Sequence, residues 1–288
     1  MNILKLVADL AATTPNQFEQ PADRRDALTS LGRFGAKTLA AALPLGLGSV
    51  PALARDTRTI LDSLLLALRL ERLQNAFYTQ ALTAPASFFP ADTSIRASIV
   101  KMQAHQQQHA ALLVRLISTS NGDVPAQPRY DFTGSKNNTQ AALFPSVFTN
   151  FDDFLTLAQL LEDTSVRAYK AMVEFLVQDN YILQTALQIH STESRHATRI
   201  RMIRRQRGAT VKPWPSPADA DITVANKTAV VYATEHATTQ LLADYTSVPF
   251  RLLPIGSGAN ILTESVPEAF DEPLAADSVE GLLNLFTL

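Results

Sequence analysis

Apolar residues recur at steps of three and four in four long stretches of the chain, the spacing that lines one face of a helix. The first stretch, 57–82, carries Leu64, Leu68, Glu71, Asn75, Tyr78 and Leu82 on one face, and Pro85 stands just past its end. The second, 93–119, carries Ile95, Ile99, Met102, Gln106, His109, Leu113 and Leu116, with Asp92 as N-cap and Asn121-Gly122 as the stop. The third, 152–177, carries Leu155, Ala158, Glu162, Val166, Tyr169, Val173 and Leu176, with Asn150 as cap. The fourth, 181–207, carries Ile182, Ala186, Ile189, Glu193, His196, Ile200 and Ile203 and stops at Gly208. The pattern predicts an all-α four-helix bundle over 55–208.

Link lengths then predict how the helices connect. The first and second helices, and the third and fourth, are joined by short links, so each pair is an antiparallel hairpin. The link from the second to the third, about 120–151, is long, with Pro125, Pro128, Gly134, Pro145 and the polar run SKNNTQ (135–140). A helix of this length is about 40 Å long, and an extended link of this size can run back along it. The third helix then starts at the same end as the second, and a two-fold axis relates the hairpins. That arrangement brings the polar steps of all four stripes to one level. Residues 209–288 are irregular. KPWPSP (212–217) reads as extended, 226–245 is expected to include a helix, and 278–286 reads as a short amphipathic helix. This C-terminal extension is expected to pack on the bundle without a core of its own.

The N-terminal 1–54 has a different character. Residues 38–54, TLAAALPLGLGSVPALA, carry no charge but are too short and too broken by Pro and Gly for a transmembrane helix. Arg24-Arg25 and Leu28 lie upstream, and Ala52-Leu53-Ala54 has the A-x-A form of a cleavage site. The segment resembles a twin-arginine (Tat) export signal peptide, although Asp26 and Ala27 depart from the usual motif. The expectation is an exported protein of the periplasm or cell envelope, with a mature chain beginning near Arg55 and no transmembrane span. The alternative is an N-terminal extension packed on the bundle.

Composition narrows the chemistry. Lys and Arg number 25 against 27 Asp and Glu, so no basic excess points to nucleic acid. The run RIRMIRRQR (199–207) ends a helix, where cations oppose the dipole. There is no Cys, which excludes disulfides, thiolate metal sites and cysteine nucleophiles. A metal would need carboxylates and some of the five His.

The stripes supply such a set. Glu71 and Glu162 lie one per hairpin, each followed seven residues later by a tyrosine, Tyr78 and Tyr169. The partner helices carry Gln106-x-x-His109 and Glu193-x-x-His196. Residues three apart on a helix point the same way, so each pair offers an oxygen and an imidazole to one point. Oxygen and imidazole donors suit Fe, Mn or Zn. Two blander readings stay open. In one, the glutamates pair with buried Arg or His in a metal-free bundle, Arg69, Arg72 and Arg167 being near in sequence; in the other, the tyrosines are core residues with satisfied hydroxyls. Glu235 and His236 lie outside the repeat and receive no role, and His105 and His190 are at best second-layer or surface residues.

This arrangement resembles the ferritin-like superfamily, in which two helices give one Glu each and two give Glu-x-x-His each around two metal ions. LERLQNAFY (70–78), FPSVFTNFDDF (144–154), LEDTSVRAYK (161–170), IHSTESRHATRIR (189–201) and AFDEPL (269–274) look like exported bacterial ferritin-like domain proteins. The resemblance implies Glu71, Gln106, His109, Glu162, Glu193 and His196 as metal ligands, with Tyr78 and Tyr169 behind them. Gln106 departs from the family pattern, which has Glu there; an amide can offer a carbonyl oxygen but cannot bridge as a carboxylate. One ion, two ions and an empty site all stay open. Glu162, Glu193 and His196 form the stronger half, with Glu71 bridging or nearby and His109 joining weakly. The expected function is Fe or Mn binding in the cell envelope, with reactivity towards O2 or peroxide. The alternative is a metal-free scaffold or binding protein holding a relic site. Iron storage in a closed shell fits the long tail and the export signal poorly. Self-association stays open.

Overall fold

Each of the four long helices begins at a side chain that satisfies its first free N–H groups. Helix α1 (Ile60–Thr83) starts with a capping box, in which Thr59 accepts from Asp62 N and Asp62 accepts from Thr59 N. Helix α2 (Thr93–Thr119) starts at Asp92, which accepts from Ser94 N at 2.9 Å. Helix α3 (Phe151–Leu176) starts at Asn150 and α4 (Asn180–Gln206) at Asp179, each accepting two backbone N–H groups. Gly208, at φ +98, takes the left-handed turn that ends α4. The computed structural model describes residues 59–219, 222–224, 226–233, 235, 239–241, 247–249 and 265–288. The export-signal reading of 1–54, and His236, lie outside them. Among the described residues no helix is long and apolar enough to cross a membrane.

The helices pack as two hairpins, α1 with α2 and α3 with α4; α1 also lies beside α3, and α2 beside α4. The link before α3 is long and non-helical and contributes Phe132, Phe144 and Val147 to the core. These join an aromatic cluster centred on Phe77, which stacks on Phe154 with centroids 4.9 Å apart. The Asp131 carboxylate organises the link, accepting from the N–H of Thr133 and Asn137 and the hydroxyls of Thr133 and Ser135.

The tail packs on this frame. Helices α5 (Ser265–Ala269) and α6 (Ala276–Phe286) follow, and Val279, Leu282, Leu283 and Phe286 of α6 are buried against the bundle. Tyr130 pairs with Thr287, and Lys136 Nζ bonds the carbonyls of Asn284 and Thr287, tying the long link to the end of the chain. Among the described residues of 226–245 there is no α-helix. They hold a 3-10 turn (Ala229–Val231) and a strand β1 (Thr239–Leu241) paired antiparallel with β2 (Ser247–Pro249). β-Branched Thr228, Val230 and Val231 favour this outcome, and the Thr228 hydroxyl closes a turn by accepting from Val224 N at 2.8 Å.

The basic run at the end of α4 does more than oppose a dipole. Arg201 is buried, with both Asp163 on α3 and Asp219 in the tail at 2.6 Å. Arg204 bonds Gln159 and Thr156, and Arg207 pairs with Asp152 and lies over the Phe151 ring. These cations fasten α4 to α3, so they do not form a free basic patch.

Candidate metal centre

The polar steps of the four stripes meet in one layer. Glu71, Gln106, Glu162 and Glu193 are all fully buried, and His196 is nearly so. His109 is partly buried at its edge. Periodicity explains why: each residue occupies a core-facing position between apolar neighbours, so burying the stripe carries the polar side chain inward.

The two tyrosines cross between hairpins. Tyr78 of α1 donates to Glu162 Oε1 of α3, and Tyr169 of α3 donates to Glu71 Oε1 of α1 at 2.6 Å. One oxygen of each glutamate is thereby held, and the other faces the histidines. Glu71 Oε2 lies 3.2 Å from His109 Nδ1, and Glu162 Oε2 lies 3.6 Å from His196 Nδ1. Glu193 Oε1 is common to both halves, at 3.3 Å from His109 Nδ1 and 3.5 Å from His196 Nδ1. The sequence places Glu71 in a bridging position or nearby. In the structure Glu71 Oε2 faces His109, and the oxygen common to both halves belongs to Glu193.

Two groups of ligand atoms result, Glu71–His109–Glu193 and Glu162–Glu193–His196, each within 4.8 Å. They are not equivalent. Gln106 donates to Glu193 Oε2 at 2.9 Å, and its own Oε1 lies 3.2 Å from His109 Nδ1. The His109 half is therefore closed by hydrogen bonds. In the other half, Glu162 Oε2, Glu193 Oε1 and His196 Nδ1 are all buried and all without a hydrogen-bond partner. Their separations of 3.5 and 3.6 Å are too long for hydrogen bonds. Three buried polar atoms aimed at one another without contact are costly unless something sits between them.

Electrostatics follow from burial and crowding. Burial and the neighbouring Glu193 push Glu71 up to about 7 and Glu162 up to about 8. Burial would also raise Glu193, but the attraction of the His109 and His196 imidazoles beside it outweighs this and holds it well below the usual range. Burial disfavours the charged forms of His109 and His196, yet their carboxylate partners push them up to about 9 and about 10. Burial and the facing glutamates raise both tyrosines well above their ordinary value, so they remain protonated donors.

Among the described residues no arginine enters the layer, and the partners of Glu71 and Glu162 there are His109 and His196. Arg69 bonds Asn284, Arg72 bonds the Pro125 carbonyl, and Arg167 pairs with Glu235 at 2.8 Å. Glu235, given no role from sequence, is thus the partner of a buried arginine. His105, expected at best in a second layer or at the surface, stands behind His196: its Nδ1 lies 2.9 Å from His196 Nε2. Its place one turn before His109 in HQQQH was the available signal. His190 lies near the layer without joining it, and its Nε2 has no partner.

A family profile described as ferritin-like domain matches residues 59–206, just over half of the chain. No curated protein matches it.

Proposed function

Taking as premise that the chain belongs to the ferritin-like domain family, we propose that it binds a redox-active metal ion in the polar layer of its bundle. The observation that carries this reading is the trio of buried, unbonded atoms Glu162 Oε2, Glu193 Oε1 and His196 Nδ1. Two carboxylates and one imidazole form a donor set suited to iron or manganese. Such an ion would supply one-electron chemistry towards O2 or peroxide. The residues around it hold the ligands still: Tyr78 fixes Glu162, and Gln106 fixes Glu193. The Glu71–His109 half, closed by Gln106, supports a capacity of one ion rather than two. Export to the cell envelope belongs to the same proposal and rests on Arg24-Arg25 and the apolar run 38–54.

Anaerobic titration of the purified full chain with Fe(II) and Mn(II), followed by elemental analysis, tests this. The expected result is about one tightly held ion per chain. Glu193→Ala, with Glu193→Gln as the isosteric control, should weaken binding by roughly 100-fold or more. Gln106→Glu should raise the capacity to two. A wild-type chain that takes up neither metal overturns the reading. It would leave the metal-free scaffold, a reading that the hydrogen-bonded His109 half favours.

A further inference from the structure

We propose that His105 is a positioning residue, holding His196 in the one tautomer that can ligate an ion; the inference rests on the metal-binding reading above. His105 Nδ1 and His196 Nε2 are 2.9 Å apart, the ring centroids are 5.2 Å apart, and the ring planes differ by 11°. Nearly parallel rings with facing nitrogens that close lie edge to edge in a common plane. The N···N line therefore runs along the ring lone pair, the best direction for a hydrogen bond.

One proton lies on that line, and its owner decides what His196 can do. A neutral imidazole donates from one nitrogen and accepts at the other. If His196 donates from Nε2, its Nδ1 is a bare lone pair facing Glu162 Oε2 at 3.6 Å and Glu193 Oε1 at 3.5 Å. If His105 donates instead, a neutral His196 carries its proton on Nδ1, pointing into the carboxylates where a cation would sit. His105 as acceptor thus prepares the ligand.

The His109 half has no equivalent. Among the described residues no side chain hydrogen-bonds Nε2 of His109, and its Nδ1 is taken up by Glu71 and Gln106. His105 reaches from α2 to α4, so it also links the two hairpins at the level of the layer. The half with three unbonded polar atoms is the half whose imidazole has an external partner.

Co(II) is the probe, added to the full chain and to two variants. His105→Asn places an amide oxygen close to the position of Nδ1 and keeps an acceptor; His105→Leu removes it. Affinity is read by competition, and the visible Co(II) spectrum reports ligand geometry. His105→Leu should weaken Co(II) binding about 10- to 100-fold and shift the spectrum, whereas His105→Asn should stay within about threefold of wild type. Equal affinity for wild type and His105→Leu overturns this inference alone, as does equal weakening by both variants. Failure of the wild type to bind Co(II) overturns the metal-binding reading and this inference with it. A variant-free measurement covers misfolding of His105→Leu. Long-range proton–nitrogen correlation on the Zn(II)-loaded wild type should show His196 protonated at Nε2 and His105 at its own Nε2. A proton on His105 Nδ1 overturns the assignment.

Discussion

Glu193 sits between two imidazoles, and that position sets the pH behaviour of the layer. His109 and His196 are charged in the fold up to about 9 and about 10, against an ordinary value of 6.5. Their folded values are raised, so their contribution to stability is complete below 6.5 and is lost as pH rises towards 9 to 10. Glu71 and Glu162 work in the same direction. Their raised values mean that the unfolded chain releases protons first, which costs the fold stability as pH climbs from 4.5 to about 7 and 8. The metal-free protein should therefore melt at progressively lower temperature between pH 7 and 10. Metal binding has the opposite slope, because an ion must displace these protons. Mn(II) affinity measured at pH 6, 7 and 8 should rise by at least about tenfold per unit, and a flat profile would contradict the assignment of these ligands. The membership of the layer was legible because helical spacing put each polar residue on an apolar stripe. The sharing of Glu193 was not, since it depends on which oxygen of each glutamate a tyrosine from the other hairpin holds.

At the scale of elements, α3 and α4 are joined by buried charge as well as by apolar contact. Arg201 of α4 lies between Asp163 and Asp219, and Tyr232 donates to Asp163 Oδ2 at 2.9 Å. Replacing Arg201 by Met would strand two carboxylates in a low-dielectric site. The expected cost is about 3–5 kcal/mol in urea denaturation, because breaking a buried pair leaves an uncompensated charge. A cost below about 1 kcal/mol would mean that water or rearrangement relieves it. The caps at Asp92 and Asn150 and the stop at Gly208 were readable from sequence, because capping chemistry is local. The destination of RIRMIRRQR was not readable. Whether an arginine at a helix end meets solvent, a carbonyl or a buried aspartate depends on the neighbouring helix.

At the scale of the whole molecule, the long link and the tail pack on each other and on the bundle, the tail helix lying against α1 and α3. Phe286 is fully buried and meets Phe132 and Phe144 of the link with centroids 6.2 and 6.0 Å away. Phe286→Ala should lower stability by about 3–5 kcal/mol, read as a shift in denaturation midpoint with far-UV helicity retained. A shift within about 0.5 kcal/mol would show that the tail adds little to the core. Among the described residues of 226–245 no α-helix forms, and the stretch carries no helical periodicity of its own. The sequence by itself determined the four helices, their hairpin pairing and the six polar residues that share a layer, because periodicity, capping and link length act over a few turns of chain. Only the tertiary structure decided that Glu193 is the shared carboxylate, that Gln106 closes one half, and that His105 stands behind His196. Those facts depend on side chains from different hairpins meeting within a hydrogen bond's length, a distance that no spacing along one helix can specify.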